Sequence, residues 1–280
     1  MDKIGRDYVG PRAFLPANVK LLPELDYPPR LNLAEALLDR IVSMGADRVA
    51  IHHESERITF GQLQCEVNRF ANTLRELGIG KGDRVVLRSI NTPEYIVWNF
   101  ACWRVGAIPV LVSHLNRASE VRFKINDSEA VAVCVHSGSV AEVQQVRGEC
   151  PSLRHVIVHG EPVEGTLHYR QLTRTQPDSA ASEEMSRTDF ARIIYSSGTT
   201  GKPKGILTTV EGMLSIGDTM GRPILRLCPD DVIGGHPSFS FAFGATLLFL
   251  PGDSGRVCRS FRSSRPNGSS TWRSGTESRC

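Results

Sequence analysis

The chain has 280 residues, 40% of them hydrophobic and 22% charged, a composition typical of a globular protein with a sizeable core. Its net charge of +3 comes from residues 252–280, where six Arg face Asp253 and Glu277; the remaining 251 residues sum to −1 and indicate no binding of nucleic acid or of a membrane surface. No apolar run approaches the roughly 18 residues that span a bilayer, and charges in the first ten residues argue against a signal peptide. Seven cysteines without a CxxC pair favour neither a disulfide framework nor a zinc site, so we expect a reducing cytoplasm.

Apolar residues at helical spacing predict two helices in the first 80 residues. Asn32 can cap the first helix, which we expect to end at Gly45. Thr59 and Gln62 form a capping box for the second helix, which Gly78 would stop. A third helix is predicted where Thr92 precedes Pro93.

Short continuous apolar runs predict buried strands. Four of them cover residues 84–87, 107–112, 131–135 and 155–158, with helical segments between them. Buried parallel strands have this composition, so the pattern predicts an α/β fold with doubly wound, mainly parallel sheets and helices on both faces.

The second half of the chain divides at a polar, turn-rich segment, residues 173–188. We interpret residues 1–172 as a first α/β subdomain, 173–188 as a surface loop or subdomain joint, and 189–251 as the start of a second subdomain. Residues 252–280 contain eight Ser, six Arg and four Gly, and cannot bury enough apolar area to offset the entropy of ordering them. This tail is therefore predicted to be disordered.

The segment YSSGTTGKPKGI, residues 195–206, lies between two predicted strands and has three Gly, four Ser or Thr and two Lys. Glycines allow backbone N–H groups to converge on an anion, the hydroxyls add donors, and the lysines add positive charge. These properties predict a phosphate-binding loop. The alternative is a flexible surface hairpin with solubilising lysines.

A Walker A loop does not fit this segment. That motif requires Gly where Ser196 stands and Ser or Thr where Pro203 stands. The stretch beginning at Gly78 likewise misses the dinucleotide-binding fingerprint, because Asp83 replaces its third Gly.

The loop resembles the signature [YF]-[ST]-S-G-[ST]-T-G-x-P-K-G of the adenylate-forming acyl-CoA ligase superfamily, and matches it at every constrained position. The segments ITFGQL (58–63), GIGKGDRVVL (78–87), INTPEYI (90–96) and WRVGAIPVLVS (103–113) also follow the order of that superfamily. LPELDYPPRLNLAEALLD (22–39) is similar to aryl-CoA ligases acting on 2-aminobenzoate and benzoate. The resemblance extends over residues 1 to about 251.

This resemblance implies an ATP-dependent reaction in two steps. A carboxylate first attacks the α-phosphate of ATP to give an acyl-adenylate and pyrophosphate, and coenzyme A then displaces AMP. The implied phosphate-binding residues are Ser196, Ser197, Gly198, Thr199, Thr200, Gly201, Lys202 and Lys204, of which Thr200 and Lys204 are the implied catalytic residues. Mg²⁺ would accompany ATP, and no protein ligand for a metal is predicted.

The segment GGHPSFSFAFGATLLF, residues 234–249, corresponds to the family's acyl pocket. The resemblance implies substrate binding by Ser240, Phe241, Phe243 and Gly244, and Phe rings suit a flat, apolar acid of the benzoate type. Phe239, Phe241 and Phe243 also alternate as in a half-buried strand, so core packing is the alternative for them. The sequence sets neither the acid nor the oligomeric state.

Members of this superfamily are about twice as long, and a Ser/Arg/Gly tail stands where their remaining parts would begin. We therefore expect a truncated or frameshifted ligase with little or no activity, which reading the other frames beyond the Pro251 codon would test. A non-catalytic ATP- or phosphate-binding module is the alternative function. An Arg-rich arm for nucleic acid is a third alternative, which has no aromatic platform and no folded support.

Overall fold

The computed structural model describes residues 25–196, 203–221, 224–227, 231–234, 237–246, 248 and 261–263. The strands are β1 (Val49–His53), β2 (Glu56–Thr59), β3 (Arg84–Arg88), β4 (Ile108–Leu111), β5 (Ala132–His136), β6 (His155–His159), β7 (Leu167–His168), β8 (Phe190–Ser196), β9 (Lys204–Thr209), β10 (Ile233–Gly234) and β11 (Phe261–Ser263). The helices are α1 (Arg40–Gly45), α2 (Phe60–Glu76), α3 (Pro93–Arg104), α4 (Ala118–Asp127), α5 (Ala141–Val146), α6 (Tyr169–Thr173), α7 (Val210–Ile216) and α8 (Ala242–Thr246). A π-helical turn, Glu35–Asp39, leads into α1.

Among the described residues, seven strands form the main sheet in the order β7-β6-β5-β3-β4-β8-β9. Every neighbouring pair is parallel except β8 and β9, which are antiparallel. The predicted mixed α/β fold with a mainly parallel sheet is confirmed. The four predicted central strands are β3, β4, β5 and β6.

Helices cover both faces of this sheet because its strands present apolar side chains on both sides. One face packs with α2 and α3 around residues such as Phe70, Trp98 and Leu87. The other face packs with α4 and α5 around residues such as Val86 and Val133. All five residues of β3 are buried, which places this strand at the centre of the core.

The predicted helix starts are confirmed. Asn32 accepts a hydrogen bond from the amide of Ala34 (2.9 Å), and Thr59 and Gln62 make both bonds of the capping box. The side chain of Thr92 accepts from the Tyr95 amide, with proline in the first turn. The helical segment that leads into α1, which begins at residue 33, and the helices α2 and α3 therefore begin where small polar residues satisfy free amides, as expected.

A buried arginine fixes the carboxyl end of β3. Arg88 is fully buried, and burial lowers the pKa of its guanidinium, while hydrogen bonding to Glu142 opposes that change. Its Nη2 lies 3.1 Å from a carboxylate oxygen of Glu142, and its Nε donates to the Ser139 carbonyl (3.1 Å). Arg88 thereby ties the central strand to the segment that begins α5.

The predicted joint, residues 173–188, packs against α2 through backbone carbonyls. Asn68 donates to the carbonyl of Asp178 (2.7 Å), and Asn72 donates to those of Pro177 and Ser179 (both 3.0 Å). Beyond this segment, β8 and β9 extend the main sheet. The subdomain division proposed above stays a prediction.

A second, four-stranded sheet has the order β10-β11-β1-β2. Its strand β11 is the part of the predicted tail that the structure describes; the rest of residues 252–280 lies outside the described ranges. Cys65, Cys102, Cys134 and Cys150 are free thiols, and burial raises the pKa of Cys102 and Cys134. Within the described ranges, no helix has the length and apolarity needed to cross a membrane.

Candidate functional site

The predicted phosphate loop connects β8 to the edge strand β9. These strands form a hairpin whose register places Ser196 opposite Lys204. Both residues are exposed, and Pro203 precedes Lys204. The other predicted loop residues lie outside the described residues: Ser197, Gly198, Thr199, Thr200, Gly201 and Lys202.

The hairpin places this loop at the carboxyl end of β8, which is parallel to β4. Ligands of open α/β sheets bind beyond the carboxyl ends of their parallel strands. Directly opposed residues of an antiparallel pair have Cα atoms roughly 4.5–5.5 Å apart. An exposed hydroxyl on Ser196 and an exposed ammonium on Lys204 therefore flank the loop at its base, and this pair is chemically suited to a polyphosphate.

Tyr195, the first residue of the signature, anchors the end of β8 to α4. Its hydroxyl donates to Asp127 (2.7 Å), and its ring contacts Phe123 edge to face at 6.1 Å between centroids. The ammonium of Lys124 lies 5.6 Å from the centre of the Tyr195 ring. Burial lowers the pKa of Lys124, and this amine donates to Asn116 (2.6 Å). These contacts hold the strand end from which the loop departs.

A cavity of ≈260 Å³ lies beside the hairpin, on its α4 side. Tyr195 and Lys204 line it, together with Arg84 and the turn after α4. The guanidinium of Arg84 already pairs with Glu129 at 2.9 Å. Because the volume is below the 300–1,000 Å³ usual for small-molecule sites, we interpret this cavity as space behind the loop and not as the nucleotide site.

The predicted acyl-pocket segment lies on the opposite face of the sheet, against α3. Phe239 and Ser240 are buried, whereas Phe241 and Phe243 are 54% and 68% exposed. Tyr95 packs on Phe239 with ring centroids 5.7 Å apart. Two of the four predicted substrate-binding side chains, Phe241 and Phe243, are therefore open to a ligand.

The strand suggested by the alternation of the Phe residues is wrong, whereas core packing, the alternative for these rings, holds for Phe239 alone. Residues 242–246 form α8, and the amide of Ala245 donates to the Phe241 carbonyl (2.8 Å). A turn precedes the helix, because the Phe241 amide donates to the Ser238 carbonyl (3.1 Å) and the Ser240 amide donates to the Ser238 hydroxyl (3.2 Å). A hydroxyl that offers the backbone this local partner favours a turn over a strand.

Gly244 is required by the close approach of α8 to this turn. A Cβ at residue 244 would lie 2.1 Å from the Ser238 carbonyl oxygen and 2.9 Å from the Pro237 oxygen. Both atoms belong to the backbone and cannot move as a flexible side chain would. The close approach brings the helix onto the turn, which supports a role for Gly244 in shaping the predicted pocket.

A buried polar cluster joins the acyl-pocket segment to β8. Arg192 is 5% exposed, four residues before Ser196 on the same strand, and burial lowers its pKa to about 10. Burial raises the pKa of Tyr95, whereas a hydrogen bond with Ser240 and the charge of Arg192 lower it. At about 3.3 Å per residue along a strand, the cluster lies roughly 13 Å from the loop base.

Sequence reasoning did not assign a role to Arg192, Asn91 or Tyr95. The signal for Arg192 is a charged residue inside an apolar strand. Asn91 and Tyr95 belong to the INTPEYI stretch, which was noted for its resemblance alone. Within the described ranges, no group of three or more His, Cys, Asp or Glu side chains is placed to hold a metal ion.

Comparison with known proteins decides the family. A model of the family described as "AMP-binding enzyme" matches residues 38–267. The chain belongs to the AMP-binding enzyme family. The match includes the hairpin of β8 and β9, the helix α3 and the segment around α8, so both predicted sites lie inside it.

Similar proteins include ligases for aromatic and aliphatic acids. A 3-hydroxybenzoate–CoA ligase from Aromatoleum sp. (strain CIB) is 29% identical over 78% of this chain and 42% of its own length. An acetyl-coenzyme A synthetase from Rubrobacter xylanophilus is 34% identical over 80% of this chain and 40% of its own length. The present chain spans less than half the length of these curated relatives.

A solved structure shares the fold. The crystal structure of the anthranilate CoA ligase AuaEII in complex with anthranoyl-AMP superposes with a TM-score of 0.79 and 30% sequence identity. It covers 84% of this chain, which corresponds to 45% of that protein. The predicted family and fold are confirmed, and the roles of individual site residues stay predictions.

Proposed function

We propose that this chain provides the ATP-binding and acid-binding part of an ATP-dependent aryl-CoA ligase. In this reaction a carboxylate displaces pyrophosphate from ATP to form an acyl-adenylate, and the thiol of coenzyme A then displaces AMP. The observation that carries the proposal is the hairpin of β8 and β9, which closes the signature loop between Ser196 and Lys204 at the carboxyl end of a parallel strand. A cytoplasmic location is part of this proposal, and the free thiols of the four described cysteines support it.

The chemistry at the loop is charge stabilisation. At about 4 Å and an effective dielectric of ~20, one lysine–phosphate contact contributes on the order of 4 kcal/mol before desolvation. Lys204, with the proposed Lys202, Thr200 and Ser196, would stabilise the negative charge that develops on the departing pyrophosphate. Donors fixed by an anchored strand end do not need to reorganise during the reaction, which is why the contacts of Tyr195 matter.

Mg²⁺ fits this site as a companion of ATP. The ion keeps several waters and binds through substrate phosphates with one or two carboxylates, so a dedicated cluster of protein ligands is not required. Bound there, it would neutralise phosphate charge. The residues at the loop base, a hydroxyl and an ammonium, would then position the phosphates.

A benzoate-type acid is the proposed carboxylic substrate. Exposed rings of Phe241 and Phe243 offer stacking surfaces, and buried Ser240 and Gly244 allow a close fit. The names of two similar proteins, a 3-hydroxybenzoate–CoA ligase and an anthranilate CoA ligase, support this class. Acetyl-coenzyme A synthetases among the relatives make acetate the natural comparison.

Acid-dependent exchange of pyrophosphate into ATP tests the proposal. Benzoate, 2-aminobenzoate, acetate and a fatty acid would each be supplied with ATP and Mg²⁺, and ATP binding would be measured by calorimetry on the same sample. We expect ATP binding and at most weak exchange, which should be stronger with the two aromatic acids than with acetate or the fatty acid.

Two outcomes separate the alternatives. ATP binding without exchange for any acid would favour a non-catalytic ATP- or phosphate-binding module. Absence of ATP binding would contradict both that module and the ligase.

A further inference from the structure

We propose that Asn91 is a positioning residue that fixes the acyl-pocket segment, residues 237–246, and thereby sets affinity for the carboxylic acid. This inference rests on the proposed function and identifies a residue that controls its acid-binding half. It begins from one side-chain amide that bonds to the segment twice. The Nδ2 of Asn91 donates to the Pro237 carbonyl (3.0 Å), and its Oδ1 accepts from the Phe239 amide (2.8 Å).

The side-chain amide of Asn91 donates to one backbone group and accepts from another, as the backbone of a neighbouring strand would. An amide offers a donor and an acceptor, whereas the nearly isosteric carboxylate of Asp offers acceptors alone. With Asp at this position, a negative oxygen would face the Pro237 carbonyl oxygen. The observed pair of hydrogen bonds therefore requires the donor of asparagine, and a side chain of the same shape without that donor cannot make both.

Asn91 is held by a rigid part of the fold. It follows the buried strand β3 and precedes α3, whose start is fixed by the cap at Thr92 and by Pro93. One turn into α3, the hydroxyl of Tyr95 donates to the Phe239 carbonyl (3.3 Å), and its ring packs on that of Phe239. Three hydrogen bonds from one helix start thus hold two residues, Pro237 and Phe239, on either side of Ser238.

The held segment has little secondary structure of its own. Its helix α8 has five residues, and the turn before it depends on Ser238 and on the close approach at Gly244. Short helices are marginal without tertiary contacts. The contacts from Asn91 and Tyr95 therefore determine which Phe rings of the segment are buried and which are exposed.

This arrangement sets the chemistry of the pocket. With Phe239 anchored under Tyr95, the next residue, Ser240, is buried in the cluster beside Tyr95. Phe241 and Phe243 then emerge on the exposed side. Releasing Pro237 and Phe239 would move all of these side chains together, so acid binding would fall while phosphate binding at the distant loop would not.

The test compares two Asn→Asp substitutions. Asn91→Asp removes the donor to Pro237, and the matched control Asn72→Asp removes the donor to Pro177 and Ser179 in the joint, away from both proposed sites. Calorimetry would measure binding of benzoate and 2-aminobenzoate in the presence of a non-hydrolysable ATP analogue, and binding of the analogue alone. We expect Asn91→Asp to weaken acid binding at least tenfold and analogue binding less than threefold, with Asn72→Asp changing neither.

Hydrogen exchange at the Phe239 amide gives a second readout, which we expect Asn91→Asp to accelerate. If that variant does not fold, Tyr95→Phe keeps the ring and removes the hydroxyl; we expect it to weaken acid binding about threefold. Equal effects of Asn91→Asp and Asn72→Asp, unchanged acid binding, or an equal loss of analogue binding would overturn the inference. If the unsubstituted chain binds the analogue but no acid, the inference about Asn91 is overturned while the assignment of the phosphate loop is kept. If it binds neither, the proposed function is overturned as well.

Discussion

The centre of the main sheet and the acyl-pocket segment are stabilised in different ways. Every residue of β3 and β4 is buried, and each strand pairs on both sides. The segment 237–246 instead depends on a few polar contacts and one glycine, and it exposes two Phe rings.

The two regions therefore differ in how they respond to the loss of a single polar contact. A sheet centre with many redundant apolar contacts tolerates the loss of any single polar contact. A segment held by three hydrogen bonds loses its position when one of them is removed. The predictions below test whether substitutions in the two regions affect different measured quantities.

The largest effect is expected from Trp98→Ala in α3. Trp98 is fully buried and contacts His159 and Tyr169 edge to face at 6.3 and 6.1 Å between ring centroids. Truncation of a buried aromatic side chain lowers the free energy of unfolding by about 3–5 kcal/mol. Urea unfolding would measure it, with Phe243→Ala as the control at an exposed ring, where we expect a change within about 0.5 kcal/mol.

That control also tests the other region. We expect Phe243→Ala to weaken binding of benzoate while the free energy of unfolding stays the same. A large loss of stability in Phe243→Ala, or a small one in Trp98→Ala, would contradict the division between the two regions.

An intermediate effect is expected from Gly244→Ala. The added Cβ would meet backbone atoms of Ser238 and Pro237, and forcing atoms into such a site costs about 1–3 kcal/mol. The matched control is Gly148→Ala, where a Cβ would have nothing within 4 Å. Urea unfolding and benzoate binding would be measured for both variants.

We expect Gly244→Ala to lose acid binding and Gly148→Ala to keep it, with equal or slightly higher stability. Retention of full acid binding by Gly244→Ala would show that the close approach to Ser238 does not shape the pocket.

The smallest effect is expected for the dependence of stability on pH, which comes from three partly buried histidines. Burial lowers the pKa of His114, His155 and His159; for His159 the neighbouring Glu94 opposes this, and for all three nearby positive charges add to it. Between these lowered values and the ordinary histidine value of about 6.5, the unfolded chain binds more protons than the folded chain. The contribution is therefore favourable above about pH 6.5 and is lost as the pH falls through that window.

Urea midpoints at pH 7.5 and 5.5 would measure this dependence. We expect a lower midpoint at pH 5.5, and a smaller difference between the two conditions in His159→Asn. An equal or higher midpoint at pH 5.5 would contradict the assignment of these histidines as partly buried groups whose pKa is lowered in the folded chain.

The sheet and its helix starts could be predicted from sequence because they depend on local patterns. Continuous apolar runs identified β3 to β6, and Thr59 with Gln62 identified the start of α2. The loop between β8 and β9 could be predicted because its composition is unusual and its two neighbouring strands are apolar.

The acyl-pocket segment was predicted less well because its structure depends on contacts distant in sequence. The alternation of Phe239, Phe241 and Phe243 matched a strand, yet Asn91 and Tyr95, nearly 150 positions earlier, hold a turn and a helix there. The buried position of Arg192 depends likewise on the packing of α3 over β8. No local pattern in the segment contains this information.

The assignment of the loop between β8 and β9 as the phosphate-binding site is tested most directly by the affinities of ATP and AMP. These would be measured for the unsubstituted chain and for Lys204→Ala. If the hairpin loop binds the β- and γ-phosphates, ATP should bind at least tenfold more tightly than AMP, a difference of about 1.4 kcal/mol or more. Lys204→Ala should remove most of that difference without shifting the urea midpoint, since Lys204 is exposed at the edge of the sheet. Equal affinities for ATP and AMP, or an undiminished preference for ATP in Lys204→Ala, would contradict the assignment of this loop as the phosphate-binding site.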